Sequence, residues 1–97
     1  MTTIILAGSY DHSPRLAMCH SAESLRRVLS EWVGSCVPDL DFDTADPATI
    51  EESIYDRIAP TDWSCLECFP LTDDGQAFTG EMLSFAAALS RFEEEAA

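Results

Sequence analysis

Three stretches of this chain repeat their apolar residues at helical spacing, and the segments between them alternate or turn. Leu25, Val28, Leu29, Trp32 and Val33 fall at i, i+3, i+4, i+7 and i+8, one face of an α-helix. Ser21 is suited to N-cap that helix and Gly34 to end it, so a helix is predicted over 21–33. Glu23, Arg27 and Glu31 add opposite charges at i,i+4 spacing. Ile50, Ile54 and Ile58, with Tyr55, mark a second helix over 47–58. Asp46-Pro47 opens it as an N-cap followed by proline at the first helical position, and Pro60 closes it. Met82, Phe85, Ala86, Leu89 and Phe92 mark a third over 80–93. Glu93-Glu94-Glu95 then stands at a helix C-terminus, where the macrodipole disfavours anions, so 93–97 is expected to fray as an acidic tail.

The remaining apolar runs read as strands. Thr2 to Tyr10 is β-branched and apolar around Ile4, Ile5 and Leu6. Asp11-His12-Ser13-Pro14 is turn chemistry, and Arg15 to His20 completes a β-hairpin. Trp63 to Phe69 reads as a third strand, with Asp73-Asp74-Gly75-Gln76 as the tip of a second hairpin running to Thr79. The order β-β-α-α-β-(β)-α lacks regular βαβ units. The predicted fold class is therefore α+β: a small antiparallel sheet of about three to four strands, packed on one side by about three helices. The 97 residues fit one domain over 1–97. No apolar run approaches the ~18 residues of a membrane span. The first residues, Met1 to Gly8, lack the basic flank of a signal peptide. A cytoplasmic protein without a membrane partner, its thiols mostly reduced, is expected.

Charge changes this picture most. Eighteen acids face five arginines, with no lysine or asparagine, for a net −13. Residues 1–38 are neutral. Residues 39–62 hold eight acids against Arg57, and residues 63–97 hold seven against Arg91. Such a chain repels nucleic acid and anionic membrane and attracts basic proteins. In Asp39-Leu40-Asp41-Phe42-Asp43 the period is two. An extended backbone would line three carboxylates on one face, ~6.7 Å apart, close to the spacing of phosphates along a nucleic-acid strand. Asp46, Glu51, Glu52 and Asp56 continue the line on the following helix, with Asp73 and Asp74 as a second cluster. Glu52 and Asp56 form a like-charge i,i+4 pair that helix stability alone would not select. Arg26 and Arg27 are expected on a face away from any basic target. Tyr55 and Trp63 are either core residues or aromatic anchors of an interface. The same carboxylates also read as a solvated face kept for solubility. As a calcium loop they fail, because Thr44 stands where an EF-hand has glycine and Ile50 where it has glutamate.

Other constellations carry little chemistry. Cys65 and Cys68 form a CxxC, which Cys19 and Cys36 could complete as a zinc site. A second close pair is missing, however, and residues three apart on a strand point to opposite faces. A redox pair would want the CxxC at a helix start, and Phe69-Pro70 follows instead. Asp11-His12-Ser13 are consecutive, whereas catalytic triads assemble in space. No phosphate loop, metalloprotease motif or basic patch occurs, so neither an enzyme, a cofactor nor direct nucleic-acid binding is expected.

In size and charge layout, Asp39 to Asp62 with Asp73, Asp74 and Glu93–Glu95, the chain resembles small acidic phage and mobile-element inhibitors of bacterial defence, the anti-CRISPR and anti-restriction DNA mimics. The likeness rests on no motif. It implies a cytoplasmic protein of an infected bacterial cell that occupies the nucleic-acid groove of a basic protein, with a CRISPR effector subunit as the implied partner. Two alternatives stay open: an immunity or antitoxin-like protein covering a basic toxic enzyme, and a small structural zinc domain.

Overall fold

The structure, a computed structural model, describes residues 2–58, 63–72, 74 and 77–96, without the side chains of residues 58, 63–65 and 96. Its first element is a hairpin, β1 (Ile4–Tyr10) and β2 (Ser13–Cys19), joined through Asp11 and His12. Both turn residues have positive φ, 48° and 66°, as a two-residue turn between right-twisted strands requires. β3 (Trp63–Pro70) pairs antiparallel with the other side of β1, giving the sheet order β2-β1-β3.

Helix α1 (Ala22–Val33) begins at the expected cap. Ser21 Oγ accepts the Ser24 N–H, and Ser24 Oγ accepts the Ser21 N–H in return, both at 3.1 Å. Gly34 ends it with a right-handed φ of −57° and leads into a short 3-10 turn, Gly34–Cys36. α2 (Pro47–Ile58) and α3 (Phe85–Ala96) complete the helical layer. The alternation of the strands decides what is covered. Ile4 and Leu6 on β1, Cys19 on β2, and Leu66 and Cys68 on β3 point inward. They meet Leu25, Leu29 and Val33 of α1, Ile50 and Ile54 of α2, and Phe85, Leu89 and Phe92 of α3 in one core. The architecture is the α+β arrangement expected, with all strand pairs antiparallel.

Four local expectations are corrected. The third helix starts at Phe85, not near residue 80: Ser84 Oγ accepts the Ala87 N–H at 3.1 Å and caps it. Upstream, Leu83 N donates to Cys68 O at 2.8 Å, so this stretch lies along β3 and Met82 is exposed. The second hairpin is reduced to an isolated bridge between Leu71 and Phe78; its tip residues 73, 75 and 76 lie outside the described residues. The acidic end does not fray before Ala96. Glu93 accepts from Arg26 at 2.9 Å, and Glu95 accepts from both the backbone N–H and the hydroxyl of Thr2. Finally, Arg27 pairs with neither Glu23 nor Glu31; the ion pairs among the described residues are Arg26–Glu93, Arg57–Asp39 and Arg91–Glu81.

Candidate functional site: an acidic ridge along α2

The segment before α2 is not extended. Leu40 N donates to Val37 O, and both Thr44 N and Ala45 N reach Asp41 O, so residues 37–45 form successive turns. Asp41 Oδ1 also accepts the Asp43 N–H at 3.0 Å, an Asx-turn. The three aspartates therefore do not line one strand face at a regular two-residue spacing. Phe42 is buried all the same, as the alternation implied, but it enters the core from a turn and not from a strand.

Fold and charge meet in this loop. Arg57, in the last turn of α2, holds Asp39 through both carboxylate oxygens, one at 3.0 Å. That contact keeps the Asp39 carboxyl below its usual range and raises Arg57 above its own. At the other end Asp46 accepts from the Thr49 hydroxyl at the start of α2, which lowers its carboxyl in turn. The loop thus runs back along the whole helix, from its C-terminal turn to its N-cap. A 12-residue helix is ~18 Å long. Asp39, Asp41, Asp43, Asp46, Glu52 and Asp56 are exposed along that length.

The predicted site residues divide by what else they do. Asp46 is a helix cap. Glu51 is half-buried, and its Oε1 lies 3.4 Å from the Ala86 N–H, at the N-terminus of α3. Asp43, Glu52 and Asp56 form no ion pair with a described residue. Asp74 is exposed and accepts from the Thr72 hydroxyl; Asp73 lies outside the described residues, so the second cluster reduces to Asp74.

Arg26 contradicts the expectation that it lies away from the acidic face. It reaches beneath the loop and donates to the carbonyls of Phe42 (3.1 Å) and Ala45 (2.6 Å) as well as to Glu93. Only 12% of its side chain is exposed. Its position at i+1 from Leu25 on the boundary of the buried face was the available signal, since a long side chain there can cover the core edge while its head reaches neighbouring backbone.

Tyr55 lies on α2 as well. It is 55% exposed, with its ring 5.5 Å from that of Phe85. Partial burial raises its phenol, and the charges of Glu51, Cys68 and Glu67 add to the effect. Trp63, the other proposed anchor, has its side chain outside the described residues.

The cysteines do not assemble a metal site among the described residues. Cys19 and Cys68 lie on the two strands flanking β1, opposite Ile4 and Leu6, and both are fully buried. Burial pushes their thiols up to about 11 and about 12, away from the thiolate that zinc or redox chemistry needs. Cys36 is half-buried in the 3-10 turn, and the Cys65 side chain lies outside the described residues. Asp11, His12 and Ser13 are all exposed at the hairpin tip. No helix among the described residues is long and apolar enough to cross a membrane. The chain matches no protein-family model, and neither the curated proteins nor the solved structures give a significant match.

Proposed function

We propose that the chain is a non-enzymatic acidic inhibitor that lays the ridge of α2 and its preceding loop into the nucleic-acid groove of a basic protein. The supporting observation is charge density. Six exposed carboxylates less one guanidinium over ~18 Å leave one net charge per ~3.6 Å, against one per ~3.4 Å for a single nucleic-acid strand. Irregular turns hold this density where regular strand spacing would have. A DNA-binding subunit of a CRISPR effector is the target class its resemblance to phage inhibitors implies, with the host cytoplasm as the compartment. Exposure of Tyr55 on α2 favours a second reading, an immunity or antitoxin-like protein that anchors an aromatic side chain beside a basic active site.

Competition separates the two. In the first reading, the protein displaces labelled duplex from a DNA-binding effector subunit, and displacement weakens steeply with salt. The double variant Glu52→Lys, Asp56→Lys then loses at least about tenfold in affinity, while Glu23→Lys, Glu31→Lys, with the same change in net charge, loses much less. Equal losses would show that only the overall field matters and would end the mimic reading. A partner that binds the chain and keeps its DNA, with Tyr55→Ala as the damaging change, selects the second.

A further inference from the structure

Among the described residues, no helix covers the outer face of the sheet. The helices occupy one side of it, and on the other side most outward positions are apolar, with Ser9 on β1 and Glu67 on β3 as the polar ones. By register Met18, Ile5 and Phe69 form one row across β2, β1 and β3, and Leu16 and Ala7 start the next. Phe78 packs edge-on against Phe69, with ring centroids 6.1 Å apart. Leu16, Met18 and Phe78 are 72%, 58% and 61% exposed. Because Ala7 is small, it leaves a depression of about 250 Å³ lined by Ile5, Ala7, Leu16, Phe69 and Phe78. The charged residue in these two rows is Glu67, paired with Ala7 at the β3 side. An antiparallel sheet with one helical layer ordinarily turns a polar face to water. This one turns apolar side chains, in a chain of net −13.

We propose that this face is the contact between two copies of the chain in solution. Charge decides for a second copy over a basic partner. A basic protein is drawn to the ridge of α2, on the helical side, whereas the β1–β2 hairpin is neutral, with Asp11 balanced by Arg15. Two copies meeting over the β1–β2 side of the sheet bring neutral strands together and keep the α2 ridges apart, with Glu67 of each copy at the β3 margin of the contact. Shape agrees, since Leu16 and Phe78 stand out beside a depression of side-chain size that a two-fold axis would present to them. Area sets the strength. Three strands abreast, paired over about seven residues, cover roughly 24 by 14 Å, and with Phe78 and the rims two copies bury about 800–1,000 Å², below the range of permanent interfaces. The dimer is therefore reversible.

Salt tests the proposal with a sign opposite to that of the ridge. Two −13 chains repel, and screening removes the repulsion, so the dimer tightens as salt rises while ridge binding to a basic partner weakens. Sedimentation equilibrium on the full chain should show a monomer–dimer equilibrium whose Kd falls by about tenfold or more between ~0.05 M and ~0.5 M NaCl. Leu16→Glu should abolish association, with the circular dichroism of the monomer unchanged because Leu16 is exposed. If that variant misfolds, Phe78→Ser is the substitute and should weaken association in the same way. Glu52→Lys, Asp56→Lys should leave the dimer intact or tighten it, which separates this contact from the ridge. A strict monomer at every concentration and salt, or a Leu16→Glu protein that dimerises like the parent, overturns the proposal and assigns the face to a different chain.

Discussion

Arg26 joins three parts of the molecule, and Arg26→Met measures what the junction is worth. Methionine keeps most of the stem that covers the core edge and removes only the guanidinium. Three interactions disappear: the bonds to Phe42 O and Ala45 O, and the ion pair with Glu93. A hydrogen bond to a charged group contributes about 1.5–3 kcal/mol, and the low end applies here because the loop is at the surface and water can re-solvate the carbonyls. That gives about 3 kcal/mol for the two. The Glu93 side chain is 47% exposed, so its pair adds no more than ~1 kcal/mol. The expected loss is about 3–4 kcal/mol, a large share of the ~5–10 kcal/mol available to a chain of this size. The corresponding fall in Tm is ~12–30 °C.

Urea unfolding at neutral pH, followed by circular dichroism, gives the number. Glu93→Gln is the companion: it removes the ion pair alone and should lose less than ~1 kcal/mol. Amide exchange in residues 42–45 should rise in Arg26→Met and stay near the parent rate in Glu93→Gln, because only the first frees the loop. If Arg26→Met changes stability by less than ~0.5 kcal/mol, the arginine is a solvated surface cation and the account of how the acidic loop is held is wrong.

Two other sites make sharp predictions. His12 has φ 66°, a region that disfavours side chains, so His12→Gly should stabilise the hairpin by about 0.5–1 kcal/mol while His12→Val loses ~1–2 kcal/mol; the opposite order in thermal melts would refute the turn assignment. The Cys68 thiol, raised by burial to about 12 from an ordinary 9.0, titrates later in the folded chain than in the unfolded one. The unfolded state therefore sheds its proton first, and stability falls as pH climbs from 9 towards 12, by up to ~1.4 kcal/mol per pH unit. Cys68→Ala should reduce that slope to the share left by Cys19, and at pH 8 mapped alkylation should mark Cys36 and spare Cys19 and Cys68 until the protein unfolds. A Cys68 that alkylates in the native state refutes its burial.

The elements that were legible in the sequence are those whose signal is local. The period of Leu25, Leu29 and Val33 with a serine cap defines α1, and Asp46-Pro47 defines the start of α2. What failed was periodicity without a test for partners. Asp39 to Asp43 alternates like a strand, but no sheet edge is there to pair with it, so its backbone closes turns on itself. Met82 completed a helical stripe on paper, but Leu83 pairs with Cys68, and Ser84 offers a better cap two residues after Met82. The Arg26 clamp was only half legible: its place beside Leu25 marked the edge of the buried face, but its acceptors are carbonyls 16 and 19 residues away, and backbone acceptors carry no sequence signature.

The same geometry narrows what the acidic composition can mean. A solvated face kept for solubility has no need of particular positions, yet several acids here do structural work. Asp39 ties the loop to the end of α2, Asp46 and Glu51 serve two helix N-termini, Glu93 holds α3 to α1, and Glu95 holds it to Thr2 ahead of β1. Those residues would be acidic in a protein with no acidic partner at all. The excess that needs a different explanation is smaller and more localised: Glu52 and Asp56 exposed on α2, and Asp41 and Asp43 exposed on the preceding loop, which a nearly buried arginine pins from below. Glu52 and Asp56 sit one turn apart, where their repulsion opposes the helix by a few tenths of a kcal/mol. A folding argument assigns them no benefit, whereas a binding argument does, because a rigid anionic ridge loses little conformational entropy when it meets a basic groove. Within the charge density of the ridge, these few residues are therefore where the binding proposal is tested most directly.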